Sequence, residues 1–265
     1  MFRKSILTAA LLALGATAAT AAKLPLYDDF TAVEFDSAKW VQAESGRTLD
    51  SKGRLSLKRN SHGLGTVDTG LTFEQLTMSA TDNAPARGLR VQATVASINH
   101  LDTCAANTSA SASRARLMGS FFSVRTGGPV AGDATGDIIA NIYLRRASNS
   151  TDPAGTLRIV GAYAQCADSA CATVTNGHSM DLGTAVVGQK VQLQLEWDKA
   201  NQQFAYIVDG GTPVNHSYVG MLGARTGTPG NPFNHVAVRN EVPNCVASRP
   251  MAGMEALFDN FGLVH

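Results

Sequence analysis

In residues 189–198, QKVQLQLEWD, polar and apolar side chains alternate without a break from Lys190 onward. Val191, Leu193, Leu195 and Trp197 share one parity; Gln192, Gln194, Glu196 and Asp198 share the other. Successive side chains of a strand point to opposite faces, so this period of two fits a half-buried strand and not an amphipathic helix. Residues 119–146 show the same pattern around a glycine-rich loop. From Asp137 onward Ile138, Ala140, Ile142 and Leu144 are apolar, whereas Asp137, Asn141, Tyr143 and Arg145 are polar or amphipathic, with Ile139 the exception. One face of that run should pack on a core and the other should look outward. Further runs at 52–58, 72–81, 87–99, 155–163 and 256–264 are separated by Gly, Asn, Asp and Pro. Beyond the first 22 residues no segment keeps a helical apolar period for three turns, so an all-β sandwich is expected.

The first 22 residues have the form of a secretory signal peptide: Arg3 and Lys4, an apolar centre from Ile6 to Leu14, then the small-residue run ATAATAA. The apolar run is too short for a membrane span. Cleavage near Ala22 leaves residues 23–265, read as a single domain, since no linker, repeat or heptad interrupts them. Loss of Arg3 and Lys4 takes the formal charge from +1 to −1. Such a balance gives no electrostatic case for nucleic acid or an anionic membrane as partner. The expected location is periplasmic or extracellular.

Four cysteines remain, Cys104, Cys166, Cys171 and Cys245. An even count in an exported chain argues for two disulfides. The short spacing of Cys166 and Cys171 suggests a closed hairpin loop, which leaves Cys104–Cys245 as the long tie. The alternative, a zinc site, lacks CxxC pairs or an HxH. The six histidines show no ligand spacing, and no Gly-x-Ser-x-Gly elbow or phosphate loop is present.

Several segments, in this order, resemble the concanavalin A-like lectin/glucanase superfamily, above all family-16 glycoside hydrolases and their laminin-G-like relatives. They are Tyr27-Asp28-Asp29-Phe30 with Trp40 downstream, Gly53-Arg54-Leu55-Ser56-Leu57, and Ser120-Phe121-Phe122 before a glycine-rich loop. Leu195-Glu196-Trp197-Asp198 through Val208-Asp209-Gly210 follow, and Phe258-Asp259-Asn260-Phe261 closes the series. The resemblance implies a jelly roll of two curved antiparallel sheets that binds glycans in its concave face. It also implies one structural Ca²⁺, held at the positions of Asp29, Gly53 and Asp259. The hydrolases carry Glu-x-Asp-x-Glu on the catalytic strand, whereas the corresponding face here reads Asp137, Ile139, Asn141. Retaining hydrolysis needs two carboxyl groups about 5–5.5 Å apart. That face carries one.

The leading reading is an exported, non-hydrolytic jelly-roll domain that binds a glycan or surface polysaccharide. Asp137, Asn141, Tyr143 and Arg145 would line its cleft: amides and carboxylates exchange hydrogen bonds with sugar hydroxyls, and a Tyr ring offers a stacking face. Two other readings stay open. One is a polysaccharide lyase or atypical hydrolase with displaced catalytic groups, since Tyr and Arg types can serve a β-elimination. The other is a structural or adhesive envelope protein. Trp197 is expected in the core from its parity.

Overall fold

The computed structural model describes residues 24–32, 34–41, 46–101, 103–219 and 227–265. The expected signal peptide lies outside them. In chain order the strands are β1 (Leu26–Asp28), β2 (Arg47–Leu49), β3 (Leu55–His62), β4 (Leu71–Ser79), β5 (Gly88–Leu101), β6 (Ala112–Ser123) and β7 (Asp137–Ala147). They continue as β8 (Thr156–Cys166), β9 (Val174–Val186), β10 (Lys190–Asp198), β11 (Gln203–Val208), β12 (Val214–Ser217), β13 (Asn234–Pro243) and β14 (Met251–Val264).

Two antiparallel sheets result. One runs β12-β11-β10-β5-β14-β3-β2, with β1 added on β14; the other runs β4-β13-β6-β7-β8-β9. Sequence-distant strands lie side by side in both, as a two-sheet jelly roll requires. Alternation decides which side chains meet between the layers. Val191, Leu193 and Leu195 of β10, with Ile138, Ala140, Ile142 and Leu144 of β7, join one buried cluster. Each fully buried aliphatic side chain contributes about 1.5–3 kcal/mol. The layers approach closely at Gly161, where a Cβ would lie 2.6 Å from the Tyr206 ring.

The structure extends several sequence-read runs and adds strands that alternation did not mark. Residues 103–111 lie between β5 and β6 outside any strand, with strand pairing only at the two ends of the stretch 100–113. Strand β9 is exposed along most of its length and so lacks an apolar row. Strand β13 is buried along nearly all of its length; Asn240 interrupts its row of Val236, Val238 and Val242. The Asn240 amide donates to Arg59 O at 3.0 Å and Ala252 O at 3.1 Å. Backbone thus satisfies the amide nitrogen of this polar residue inside the sandwich, while its Oδ1 is buried without a hydrogen-bond partner.

Both cysteine pairs are joined. Cys104–Cys245 has Cα atoms 5.8 Å apart and ties the β5–β6 connection to the β13–β14 connection. Cys166–Cys171, at 4.7 Å, closes the loop between β8 and β9.

Candidate functional site

The second sheet turns one face to the core and the other outward, the counterpart of the expected cleft. Parity sends Ile139, Asn141, Tyr143 and Arg145 of β7 to that outer face. The antiparallel register sets Ser120, Met118, Arg116 and Arg114 of β6 opposite them. On the next strand His235, Ala237 and Arg239 of β13 stand opposite Met118, Arg116 and Arg114. On the other side Arg158 of β8 faces Arg145. Arg239, Arg114, Arg145 and Arg158 therefore form one row across four adjacent strands.

A depression of about 230 Å³ opens on this face, lined among others by Arg114, Arg116, Asn141, Tyr143 and Arg239. The Arg114 guanidinium lies 5.4 Å from the centre of the Tyr143 ring. It also pairs with Glu241 at 2.8 Å, and Arg239 approaches the same carboxylate at 3.6 Å. Arg116 is 5% exposed, and its Nη1 donates to Gln75 Oε1 at 2.9 Å. Burial pushes the Arg116 guanidinium down to about 9, with repulsion from Arg239 and Arg114 adding to it; it stays charged at neutral pH. His235 stacks on Phe233 at 4.7 Å. Burial, then Arg116, pushes this imidazole down to about 3, so it is neutral. The Nε atoms of Arg114, Arg116, Arg145 and Arg239 and the Nε2 of His235 are buried without a hydrogen-bond partner.

Of the four residues the sequence nominated, Asn141 and Tyr143 line the depression and Arg145 flanks it in the arginine row. Asp137 sits elsewhere. It is 1% exposed, and its carboxylate accepts the backbone N–H groups of Gly230 at 2.8 Å and Asn231 at 2.9 Å. The backbone at residues 230 and 231 thus lies over the start of β7 and turns Asp137 into a loop anchor. Gly230 allows this approach, since a Cβ there would lie 2.2 Å from Asp133 O. Ile139 is likewise covered, packing with Met118, Ala134, Cys166 and Phe233. The sequence reading passed over Arg114, Arg116, Arg239 and Glu241. The same-parity pair in Ser-Arg-Ala-Arg-Leu, residues 113–117, was the available signal.

Trp197 packs partly buried against the core, and its indole N–H donates to the Tyr218 hydroxyl at 2.9 Å. Trp40 is buried, stacks on Phe30 at 5.2 Å and donates to Asp28 Oδ2 at 2.8 Å.

The three residues nominated for calcium come together at the β1, β3 and β14 side of the sandwich. Gly53, at φ +69°, abuts the chain after β1: a Cβ would lie 3.0 Å from Thr31 Cα and 3.3 Å from Phe30 O. Asp259 is held above the usual carboxylate range by burial, with Asp29 among the charges that add to the effect. The Asp29 Oδ1 accepts the Thr31 hydroxyl at 2.8 Å. Carboxylates and backbone carbonyls are hard-oxygen ligands of the kind calcium takes. They fit the ion.

No family model and no curated protein matches this chain. Among solved structures, it is similar to the catalytic domain of an endo-1,3-β-glucanase (laminarinase) from Thermotoga petrophila, at 12% identity and TM-score 0.45 over 90% of this chain and 98% of that one. A non-specific endo-β-1,3(4)-glucanase from family GH16 matches at 12% identity and TM-score 0.43, over 90% and 94%. An alginate lyase in complex with an alginate trisaccharide matches at 11% and 0.36, over 84% and 85%. The chain has a two-sheet antiparallel jelly-roll fold, as its own strand order shows.

Proposed function

We propose that this is an exported jelly-roll domain that binds a glycan or surface polysaccharide on the outer face of its second sheet without hydrolysing it. The observation that carries this reading is the state of the β7 carboxylate. Asp137 is buried under two backbone amides, and Ile139 and Asn141 occupy the positions after it on the same face. Glu241, the other acid beside the depression, is engaged by Arg114 and Arg239. A retaining hydrolase needs one carboxylate free to attack and another free to exchange a proton. Neither group has that freedom.

Two disulfides suit an oxidising compartment outside the cytoplasm. Among the described residues no helix is long and apolar enough to cross a membrane. Asp29, Gly53 and Asp259 would hold a structural Ca²⁺ that ties the ends of the chain and takes no part in chemistry.

The reading is tested by incubating purified protein with a panel of soluble and insoluble glycans and measuring both retention and new reducing ends. Retention without product is expected. Turnover that disappears in Asp137→Ala would overturn it.

A further inference from the structure

The outer face concentrates positive charge that the chain as a whole does not have. Arg114, Arg116 and Arg239 line one depression with Arg145 beside it in the row, and Glu241 pairs with Arg114 and Arg239. Arg158, at the end of the row, is neutralised by Asp152 and by Asp181 at 3.0 Å. Arg145 has no ion pair or hydrogen bond among the described residues. Like charges set directly opposite on neighbouring strands destabilise a sheet, and buried donors left without acceptors do the same. Local violations of this kind, uncompensated inside the protein, mark positions kept for a ligand. The unused donors are guanidinium N–H groups, which suit the oxyanions of carboxylates and sulfates.

We propose that this face recognises an acidic polysaccharide, whose carboxylate or sulfate substituents pair with Arg145, Arg114, Arg116 and Arg239. The proposal rests on the glycan-binding reading above and names the class of glycan. Strands are about 4.8 Å apart, so the row from Arg239 to Arg158 runs roughly 14 Å perpendicular to them. A chain lying along the row would present successive charged substituents to successive guanidiniums. The Asn141 amide in the same depression serves hydroxyl groups. Single-stranded nucleic acid is disfavoured, because base stacking needs open aromatic faces and Tyr143 is only 9% exposed.

The test measures binding of a polyuronate, a sulfated galactan, a neutral β-1,3-glucan and a single-stranded oligonucleotide at low and high salt. Wild type is compared with Arg145→Gln and Arg239→Gln. At least one acidic glycan should bind, weaken with salt, and lose about tenfold in affinity in Arg145→Gln, the loss of one charge-assisted hydrogen bond. The polyuronate and galactan arms separate carboxylate from sulfate recognition. Melting curves report whether each variant is folded; Arg145→Gln removes no internal partner. Neutral glucan binding as tightly as the acidic polymers, with neither substitution mattering, would overturn the proposal while leaving a glycan-binding domain. An oligonucleotide that binds as well as the acidic glycan would also overturn it. If no glycan binds, both readings fall. Release of unsaturated product from the polyuronate would uphold acid recognition and remove the non-catalytic reading.

Discussion

Arg114 and Arg145 stand directly opposite one another across β6 and β7, with Arg239 and Arg158 extending the row on either side. Cross-strand pairs contribute about 0.2–1 kcal/mol, with the sign reversed for like charges. Arg145→Gln should therefore stabilise the fold by an amount of that order. The urea midpoint should rise with an unchanged m value, and added salt should stabilise wild type more than the variant. A lower midpoint in Arg145→Gln would show that the row is internally compensated.

Asp137 should behave as a structural residue. Asp137→Ala leaves the Gly230 and Asn231 amides without their acceptor, and an unmet buried donor costs about 1–3 kcal/mol. Amide exchange should accelerate at residues 230 and 231 before it does in β10 or β5. Asp137→Asn retains one oxygen and should recover part of the loss. Unaltered stability in Asp137→Ala would remove the anchor role.

The disulfides should differ in weight. Cys104 and Cys245 are 141 residues apart and Cys166 and Cys171 only 5. Loop-closure entropy of the unfolded chain assigns about 5 kcal/mol to the long tie and about 2 to the short one. Paired Cys→Ala substitution at 104 and 245 should lower the melting temperature about two to three times more than at 166 and 171. Equal losses would point to strain or residual unfolded structure instead.

Two histidines, His100 half-buried and His235 buried, set an acid limit. Burial, then Arg146, pushes His100 down to about 4, and burial, then Arg116, pushes His235 down to about 3. Between those values and the ordinary 6.5 the unfolded chain binds protons that the native protein refuses, so stability rises with pH in this window. It is complete above about pH 6.5 and declines as pH falls towards 4. Carboxylates whose native values are lowered, such as Asp133 and Asp168, matter only below 3.8. His100→Gln and His235→Gln should each flatten the melting profile between pH 6.5 and 4. A wild-type profile already flat there would contradict this.

Alternation disclosed the sandwich because each of its strongest runs buries one row between the sheets. Ile138, Ala140, Ile142 and Leu144 are all in the core. The outer face was harder to read. Asp137 and Ile139 have the parity of cleft residues, but a loop about 90 residues later in the chain covers the start of β7. Arg239 lies on β13, whose apolar row is broken at Asn240; the backbone carbonyls that satisfy its amide come from Arg59 and Ala252. Arg114 and Arg116 sit beside what reads as a loop. Net charge concealed the cluster, since acids elsewhere balance it.

Calcium is the remaining expectation to put to a test. Asp259 is held above the usual carboxylate range, first by burial and also by Asp29. Such a group is costly to ionise unless a cation stands beside it. Gly53 is pressed against the segment carrying Asp29, so carbonyl oxygens are at hand to extend the set towards the six to eight oxygens, at roughly 2.3–2.6 Å, that calcium takes. An ion bound only by the folded state stabilises it by mass action, about 2.7 kcal/mol at a hundredfold excess over its dissociation constant. Calcium should therefore raise the melting temperature and a chelator should lower it. Magnesium, which demands a smaller octahedral shell, should replace calcium poorly. Asp259→Asn should be insensitive to both additions, and without calcium it should melt no lower than wild type, since the neutral amide removes the cost of burying a charge there. Melting curves of wild type unmoved by chelator and by millimolar calcium would leave Asp29 and Asp259 as two neighbouring acids with no ion between them.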